Sequence, residues 1–317
     1  MKKLLLPLAV AAALPVSAMA AGPIDGTVYG KVNVSVVNED LANGDDSWVV
    51  NSNASRIGFK GRTELNDNLS VIYKLEYEVN VDDGQSSSSK DKDTFEQRNI
   101  YVGLTGGFGT LIAGKHDTPT KLAQKKIDLF NDLEGDIKHT FEGENRESNI
   151  VMYTTPKMGG FAATLGMVAS ENDDVDGDGE DDDGFDGTSL ALSYTADNMY
   201  FALTNDKDID GMDNLVRAVA QFNISDLQLG VMWQDAEKHS GYEEDGYFLS
   251  AQYKIGKVAL KAQYGEVEGD GNHEEETMSF GLDYKLGKKT KAFAFYTQNE
   301  DNSNDDDYIG IGLEHKF

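Results

Sequence analysis

The most constraining feature of this chain is a set of segments, each about ten residues long, in which apolar and polar side chains alternate. In the last of them, Ile309, Ile311 and Leu313 lie on one face, and Glu314 and Lys316 lie on the other. A period of two is typical of a β-strand with one apolar and one polar face. Repeated along a chain, such segments are the sequence signature of a transmembrane β-barrel.

Sixteen segments have this pattern. They lie near residues 27–37, 56–64, 69–80, 97–105, 109–115, 148–155, 161–169, 188–195, 199–204, 214–222, 227–233, 246–253, 258–264, 277–284, 290–296 and 308–317. Short turns alternate with long connections, which we place at 38–55, 81–96, 116–147, 170–187, 205–213, 234–245, 265–276 and 297–307. An even strand number, short periplasmic turns and long extracellular loops are typical of bacterial barrels. We therefore predict an all-β, 16-stranded antiparallel transmembrane β-barrel. A soluble β-sandwich would bury too many polar faces.

The first twenty residues have the pattern of a secretory signal peptide. Lys2 and Lys3 precede an apolar stretch at residues 4–16, and Ala18-Met19-Ala20 supplies small residues for cleavage before Ala21. The apolar stretch is shorter than the ~20 residues of a spanning helix. We expect residues 1–20 to be removed and 21–317 to form the barrel. Export, alternation and the absence of cysteine indicate the outer membrane of a Gram-negative cell.

Basic residues on the early strands predict a water-filled interior. Arg56, Lys60 and Arg62 share one face of the second segment, and Lys31 and Lys74 lie on the polar faces of its neighbours. A Lys or Arg facing lipid at the membrane midplane costs roughly 2–4 kcal/mol. Three on one strand would cost on the order of 6–12 kcal/mol, comparable to the net stability of a domain. These cations are therefore expected to face an aqueous lumen.

Arg98 departs from this parity, because it shares a face with the apolar Ile100 and Val102. A β-bulge, a position near the strand end, or contact with another subunit would each account for it. The alternation alone leaves these three explanations open.

The connection at 116–147 is the longest and combines two kinds of residue. An apolar group interrupts the acidic positions and comprises Ile127, Leu129, Phe130 and Leu133. A solvated loop has little use for such a group, whereas a loop packed on the inner wall can bury it. We therefore expect an inward-folded third loop whose carboxylates face the basic wall and set up a transverse field. The candidates are Asp117, Asp128, Asp132, Glu134 and Asp136, of which Asp128, Asp132 and Glu134 are favoured.

Several sequence pieces resemble those of general diffusion porins of Gram-negative outer membranes. They are Val28-Tyr29-Gly30-Lys31, Ser55-Arg56-Ile57-Gly58-Phe59-Lys60-Gly61, Arg98-Asn99-Ile100-Tyr101-Val102-Gly103-Leu104, Gly114-Lys115, Arg146-Glu147-Ser148-Asn149-Ile150-Val151-Met152-Tyr153 and the closing Gly312-Leu313-Glu314-His315-Lys316-Phe317. The resemblance implies a homotrimer, a third loop that forms the constriction, and a pore-lining role for Arg98. Lys115 and Arg146, within the matching pieces, complete the expected basic wall. Phe317 is the expected assembly signal.

The function expected from this pattern is passive diffusion of ions and small hydrophilic solutes through a charged constriction. The net charge of −28 would accumulate cations at the mouth and favours a weak cation preference. One alternative is a solute-selective channel, which would need a track of aromatic residues along the pore. Others are a structural or adhesive barrel and an outer-membrane hydrolase, although no Ser/His or Asp/His pair indicates catalysis.

No catalytic residue, cofactor-binding motif or cofactor is expected. Asp174, Asp176 and Asp178 resemble the start of a calcium loop, but position twelve is Phe185 instead of the required Glu. A looser divalent-cation site in the loops stays a weak candidate. The acidic composition excludes nucleic acid as a partner. Outer-membrane lipid and lipopolysaccharide, a homotrimer and small polar solutes are the expected partners.

Overall fold

A computed structural model of the chain describes residues 26–82, 94–169, 184–302 and 304–317. In this part of the chain, nearly all successive strands pair antiparallel with their sequence neighbours. The last strand returns to pair with the first, so that Lys31 lies opposite Lys316 and Asp40 lies opposite Asp307. The sheet therefore closes into a barrel.

The described residues form these strands: β1 (Gly26–Asp40), β2 (Asp46–Ser52), β3 (Arg56–Asn66), β4 (Leu69–Val79), β5 (Phe95–Gly106), β6 (Gly109–Asp117), β7 (Arg146–Thr154), β8 (Phe161–Ala169), β9 (Phe185–Thr195), β10 (Met199–Ile209), β11 (Met212–Ile224), β12 (Leu227–Lys238), β13 (Glu243–Ile255), β14 (Val258–Gly269), β15 (His273–Lys285), β16 (Thr290–Asp301) and β17 (Asn304–Lys316). A short helix α1 (Pro119–Ala123) and a 3-10 turn (Ile137–His139) lie between β6 and β7. No helix of the described residues is long and apolar enough to cross a membrane.

The predicted sixteen strand positions are confirmed, because β2 and β3 together occupy one of them. Both strands pair with the same edge of β1, with Arg56 of β3 opposite Lys31 and Ser52 of β2 opposite Val34. Between them the chain leaves the ladder at Ala54, which has a positive φ of 46°. The Ser55 hydroxyl accepts a hydrogen bond from the Asn33 backbone N–H at 2.9 Å and holds the break against β1.

Five of the predicted long connections contain more strand than the sequence pattern indicated. Residues 38–55 include β2, and 205–213, 234–245, 265–276 and 297–307 are largely extensions of the flanking strands. On β13, for example, the polar Glu243, Glu244 and Asp245 continue the ladder. Their side chains are polar on both faces, so no apolar alternation marks them. Above the membrane, water solvates both faces and the ladder continues without an apolar side.

The two faces of the barrel differ as the alternation predicts. On β1 the side chains of Val28 and Val32 are exposed on the outer surface, whereas Asn33, Ser35 and Val37 are buried on the inner side. The same outer row continues on the other strands through exposed large apolar side chains. A surface of this kind is matched to lipid, and the inner rows remain available for polar residues.

The connection between β6 and β7 folds into the lumen, as expected. Ile127, Ile137 and Phe141 pack on inner-wall residues that include Val219, Met232 and Phe248. Further along, Phe130 and Leu133 pack with Val37, Phe293 and Phe295. Ile127 and Phe130 are completely buried. Burial of a large apolar side chain contributes roughly 1.5–3 kcal/mol, which holds this loop, hereafter the constriction loop (residues 118–145), against the wall.

A charged constriction in the barrel lumen

Polar contacts fix the constriction loop at both ends. Near its start, the Thr118 hydroxyl caps α1 by accepting from the Lys121 backbone N–H at 3.2 Å. Thr120 donates to the buried Asp206 of the wall. Near its end, a Glu144 carboxylate oxygen lies 2.7 Å from a guanidinium nitrogen of Arg217, and the Arg217 side chain is fully buried. Burial raises the pKa of Glu144, and the Arg217 guanidinium opposes that shift.

The tip of the loop is tied to the wall by β14. The Gln263 side chain accepts from the Leu129 backbone N–H at 3.0 Å and donates to the Gly135 carbonyl. Lys261 donates to the Leu129 carbonyl at 2.9 Å and lies 4.5 Å from the centre of the Phe130 ring. The tip is therefore held in one position across the pore.

Asp132 is the acidic residue that the structure places against the basic wall. Its carboxylate lies 2.6 Å from Lys31 Nζ and 2.6 Å from an Arg56 guanidinium nitrogen. Burial would raise the pKa of Asp132, but Lys31 and Arg56 outweigh it and hold the pKa below its ordinary value. The carboxylate stays ionised, and the three side chains form a charge-assisted cluster between loop and wall.

Asp128 and Asp136 organise the loop itself. The buried Asp128 carboxylate accepts from the backbone N–H groups of Phe130 and Ile137. Asp136 accepts from the backbone N–H groups of Asp132 and Lys138. Burial, with the Asp136 charge adding to it, raises the pKa of Asp128 well above its ordinary value. Asp128 therefore acts on the loop backbone through these two hydrogen bonds.

Glu134 lies on a different side of the loop from Asp132. It accepts from the Asn51 side chain at 2.7 Å, and burial raises its pKa. Its other carboxylate oxygen is buried without a hydrogen-bond partner. The structure does not bring Glu134 together with Arg56 and Lys31.

A β-bulge accounts for the position of Arg98. The ladder between β4 and β5 shifts between Leu75, which pairs with Ile100, and Tyr77, which pairs with Gln97. The extra residue reverses the parity of the preceding part of β5. Arg98 consequently lies inside the barrel and contacts Glu78 and Glu76.

A second pair joins the start of the loop to β7. Arg146 Nε lies 2.9 Å from the Asp117 carboxylate. The Asn99 side chain donates to the same carboxylate at 2.8 Å and accepts from the Asp117 backbone N–H at 2.9 Å. Asp117 is therefore paired with Arg146 and Asn99 of the wall, whereas Asp132 is paired with Lys31 and Arg56.

The remaining predicted cations are distributed along the wall. Lys74 lies 3.1 Å from Glu76. Lys60 lies 4.9 Å from the Tyr29 ring centre, and both are on the inner row. Arg62 donates to Ser70, below the constriction.

Lys115 is separated from this group. It lies opposite Ile100 in the ladder. Ile100 shares its row of β5 with Val102 and Leu104, which are exposed on the outer surface.

Loop and wall enclose a cavity of about 810 Å³, hereafter the waist cavity. Its described lining includes ten basic residues: Arg56, Arg98, Lys121, Lys125, Lys126, Lys138, Arg146, Lys254, Lys261 and Lys291. Eight acidic residues line it as well: Glu78, Glu96, Asp117, Asp128, Asp132, Asp136, Glu144 and Asp283. In a chain of net charge −28, the waist is thus mixed in charge with a small basic excess.

Sequence reasoning missed several of these residues. Glu76 and Glu78 share the face of Lys74, so strand parity alone would have placed them inside. Lys261 and Asp283 lie on inner rows with small or polar neighbours and were findable by the same rule. Arg217 follows the same rule, because its row on β11 also carries Gln221 and Asn223, whereas the opposite row carries Val216, Ala218, Ala220 and Phe222.

The described residues contain three groups with metal-ligating atoms close together: Asp208–Asp213–His239, His273–Glu275–Asp301 and Glu266–Glu274–Glu276. All lie near the ends of strands that carry the long connections and include exposed side chains. The calcium-loop candidate Asp174, Asp176 and Asp178 lies outside the described residues.

Comparison with known proteins gives a consistent family. A family model described as Gram-negative porin matches residues 8–305. The major outer membrane protein P.IB of Neisseria sicca is 31% identical over 184 residues, which are 54% of this chain and 48% of that protein. Outer membrane porin protein 32 of Delftia acidovorans is 32% identical over 191 residues, 55% of this chain and 52% of that protein. The matches span about half the length of these curated relatives.

A solved structure has the same fold over nearly the whole chain. The anion-selective porin from Comamonas acidovorans superimposes with a TM-score of 0.78 at 21% sequence identity. The match covers 93% of this chain and 100% of that one.

Proposed function

This chain belongs to the Gram-negative porin family and is located in the outer membrane, and from that premise we propose that it is a passive channel for ions and small hydrophilic solutes. Porins are channels, so the family argues against the hydrolase alternative. The observation that carries the proposal is the waist cavity, where a tethered loop crosses a lumen lined by charged side chains.

The charges at the waist would select solutes by polarity. Asp132 on the loop and Arg56 with Lys31 on the wall form opposing charges across a short distance. Arg98 and Arg146 add to the basic side. Such an arrangement orients and admits polar molecules, whereas an apolar molecule gains nothing from leaving bulk water. Asp117, Asp128, Glu134 and Asp136 would act mainly by fixing the loop.

A homotrimer is the proposed assembly. The outer face of β15 to β17 and β1 carries an apolar depression in which the small Ala292 and Ala294 lie between larger side chains that include Leu282, Ile311 and Leu313. Small side chains allow a second barrel to approach closely. We propose lipid and lipopolysaccharide as the surroundings of the remaining outer face, and Phe317 as an assembly signal. The Phe317 backbone bonds to Gly30 of β1 and so lies at the closing seam.

Planar-bilayer recording of the purified protein tests the proposal. A trimeric channel gives conductance steps that close in three equal increments, and liposomes containing it swell in small sugars but not in large ones. Absence of conductance from protein that migrates as a folded barrel on unheated gels would exclude the channel function. Single closing steps would exclude the trimer alone.

The sign of ion selectivity stays a prediction. The weak cation preference expected from net charge competes with the basic excess at the waist. Reversal potentials in a salt gradient measure the outcome, and a clear anion preference would show that the waist dominates over the long-range field of the loops.

A further inference from the structure

The inner rows of four strands change sign from one end of the barrel to the other. On β13 the inner row runs from Glu244 to Lys254, and on β15 it runs from Glu275 to Lys285. β16 runs in the opposite direction, from Lys291 to Asp301, and β17 runs from Asp306 to Lys316. In every case the carboxylate lies at the end with the long connections and the lysine at the end with the short turns.

These positions face the lumen. Glu244 alternates with Gly246 and the fully buried Phe248, and Glu275 alternates with Thr277, which is 1% exposed. Two pockets at the loop end contain Glu142, Glu244, Glu275, Asp301 and Asp306 in their lining. At the turn end, Lys254 and Lys291 line the waist cavity.

The other described charges at each end do not cancel this difference. At the loop end, Lys138 and Lys238 accompany the acidic group, and Lys238 lies 2.9 Å from Glu142. At the turn end, Asp283 lies 2.9 Å from Lys291 and Glu314 lies 3.0 Å from Lys316. On β3, Lys60 and Arg62 add two positive charges to the basic end, and Glu64 of the same row offsets one of them.

The two zones are far enough apart to act separately. Ten residues of strand span about 34 Å, and a strand tilt of about 35–45° leaves more than 20 Å of that along the pore axis. The Debye length is about 10 Å at 0.1 M salt. Each zone therefore imposes its own ionic composition, and the constriction loop lies between them.

We propose that the lumen is bipolar and rectifies ionic current. The inference rests on the proposed channel function and adds a direction to it. When the loop side is positive, cations enter through the acidic zone and anions enter through the basic zone, so both accumulate at the constriction loop, where the zones meet. When the polarity is reversed, each ion must enter through the zone that repels it, and the lumen at the constriction loop is depleted of ions.

Single-channel recording measures this directly. At 0.1 M KCl the current at about +100 mV on the loop side exceeds that at the opposite polarity by about twofold, and the ratio approaches one at 1 M, where the Debye length is about 3 Å. Orientation is assigned with Asn43→Cys, because the chain has no other cysteine and Asn43 is exposed at the loop end. Biotin on this residue lets streptavidin block current only from the loop side.

Two sets of variants locate the cause. Lys254→Gln with Lys285→Gln and Lys291→Gln removes three charges of the basic zone, and Glu244→Gln with Glu275→Gln and Asp301→Asn removes three charges of the acidic zone. Each set lowers the current ratio at least halfway to one while leaving an open channel. Two independent sets keep the test valid if one fails to fold.

A matched control uses acidic residues of the same strands on the outer face. Glu243 and Asp245 of β13 and Glu274 of β15 are exposed on the outer rows, next to the inner Glu244 and Glu275. Glu243→Gln with Asp245→Asn and Glu274→Gln keeps the wild-type ratio. A conducting wild-type channel with equal currents at both polarities in 0.1 M salt would overturn the inference, as would the opposite sense or an effect of the outer set alone. A protein without conductance would instead reject the channel function.

Discussion

Replacing Asp132 with asparagine removes one negative charge from the waist with little change in shape. The wild-type carboxylate is paired with Lys31 and Arg56 at 2.6 Å each. In the variant these two cations lose their partner and their field reaches the lumen. We expect Asp132→Asn to shift the channel toward anions.

The size of the shift follows from the waist cavity. A sphere of about 810 Å³ has a radius of about 6 Å, which sets the distance from the wall charge to an ion at the centre. One unit charge at about 6 Å in water contributes about 0.7 kcal/mol, and screening at 0.1 M salt reduces this to about 0.4 kcal/mol. Partition of the anion into the waist cavity rises about twofold and that of the cation falls about twofold, so the anion-to-cation permeability ratio rises about fourfold.

Reversal potentials in a KCl gradient measure this ratio. At 1 M salt the same calculation leaves a change of only about 1.4-fold. Asp226→Asn is the control. Asp226 is an exposed residue of a short turn, so this substitution removes the same charge at a position away from the waist. An unchanged ratio in Asp132→Asn, or a shift equal to that of Asp226→Asn, would refute the assignment of Asp132 to the pore.

Three further predictions concern the tethering of the constriction loop. Arg217→Met leaves Glu144 buried without its partner, which costs roughly 3–5 kcal/mol and lowers the thermal unfolding temperature; adding Glu144→Gln recovers part of the loss, and no recovery would contradict the pairing. Gly135→Ala places a Cβ against Ser279 Oγ, so we expect a loss of roughly 1–3 kcal/mol together with noisier current, whereas a silent variant would show that the tip is loosely held. The raised pKa of Asp128 means that the folded state binds the carboxyl proton more tightly than the unfolded state, so the contribution of Asp128 to the free energy of unfolding falls as pH rises from the ordinary pKa through the raised one. Asp128→Asn removes this pH dependence. Unfolding temperatures at pH 5 and pH 8 that differ equally in wild type and variant would argue against a raised pKa.

Strand parity accounts for most of what the sequence could predict about the lumen. It placed Lys60 and Arg62 inside because charged side chains are costly in lipid, and the structure has both on the inner row. The same rule works wherever one face is apolar and fails elsewhere. β2 was missed because Asp46–Ser52 is short and carries only two apolar residues, Trp48 and Val50, on its outer row, too few for a recognisable alternation.

The position of Arg98 shows a different limit. Its inward orientation depends on one extra residue in β5, and a bulge leaves no mark in a two-residue period. The resemblance to porins favoured the pore, whereas the alternation left a bulge, a position near the strand end and a subunit contact as open explanations. Only the pairing register decides for the bulge.

Within the constriction loop, the sequence predicted the packing better than the charges. The apolar group with Ile127 and Phe130 is buried on the wall as expected. Which carboxylate faces the basic wall could not be read from the sequence, because Asp128, Asp132 and Asp136 are four residues apart in a segment without regular structure. Asp132 has a positive φ of 69°, and that local turn directs its side chain toward Lys31.

The pairing of β17 with β1 has a consequence for how the barrel is made. Every strand between them has both neighbours close by in sequence, but the seam joins segments nearly three hundred residues apart. Until that seam forms, β1 and β17 each present a row of unpaired N–H and C=O groups, which hydrocarbon does not tolerate. Insertion must therefore wait for synthesis and export of the last strand, and a chain that stops short of it has no stable place in the membrane.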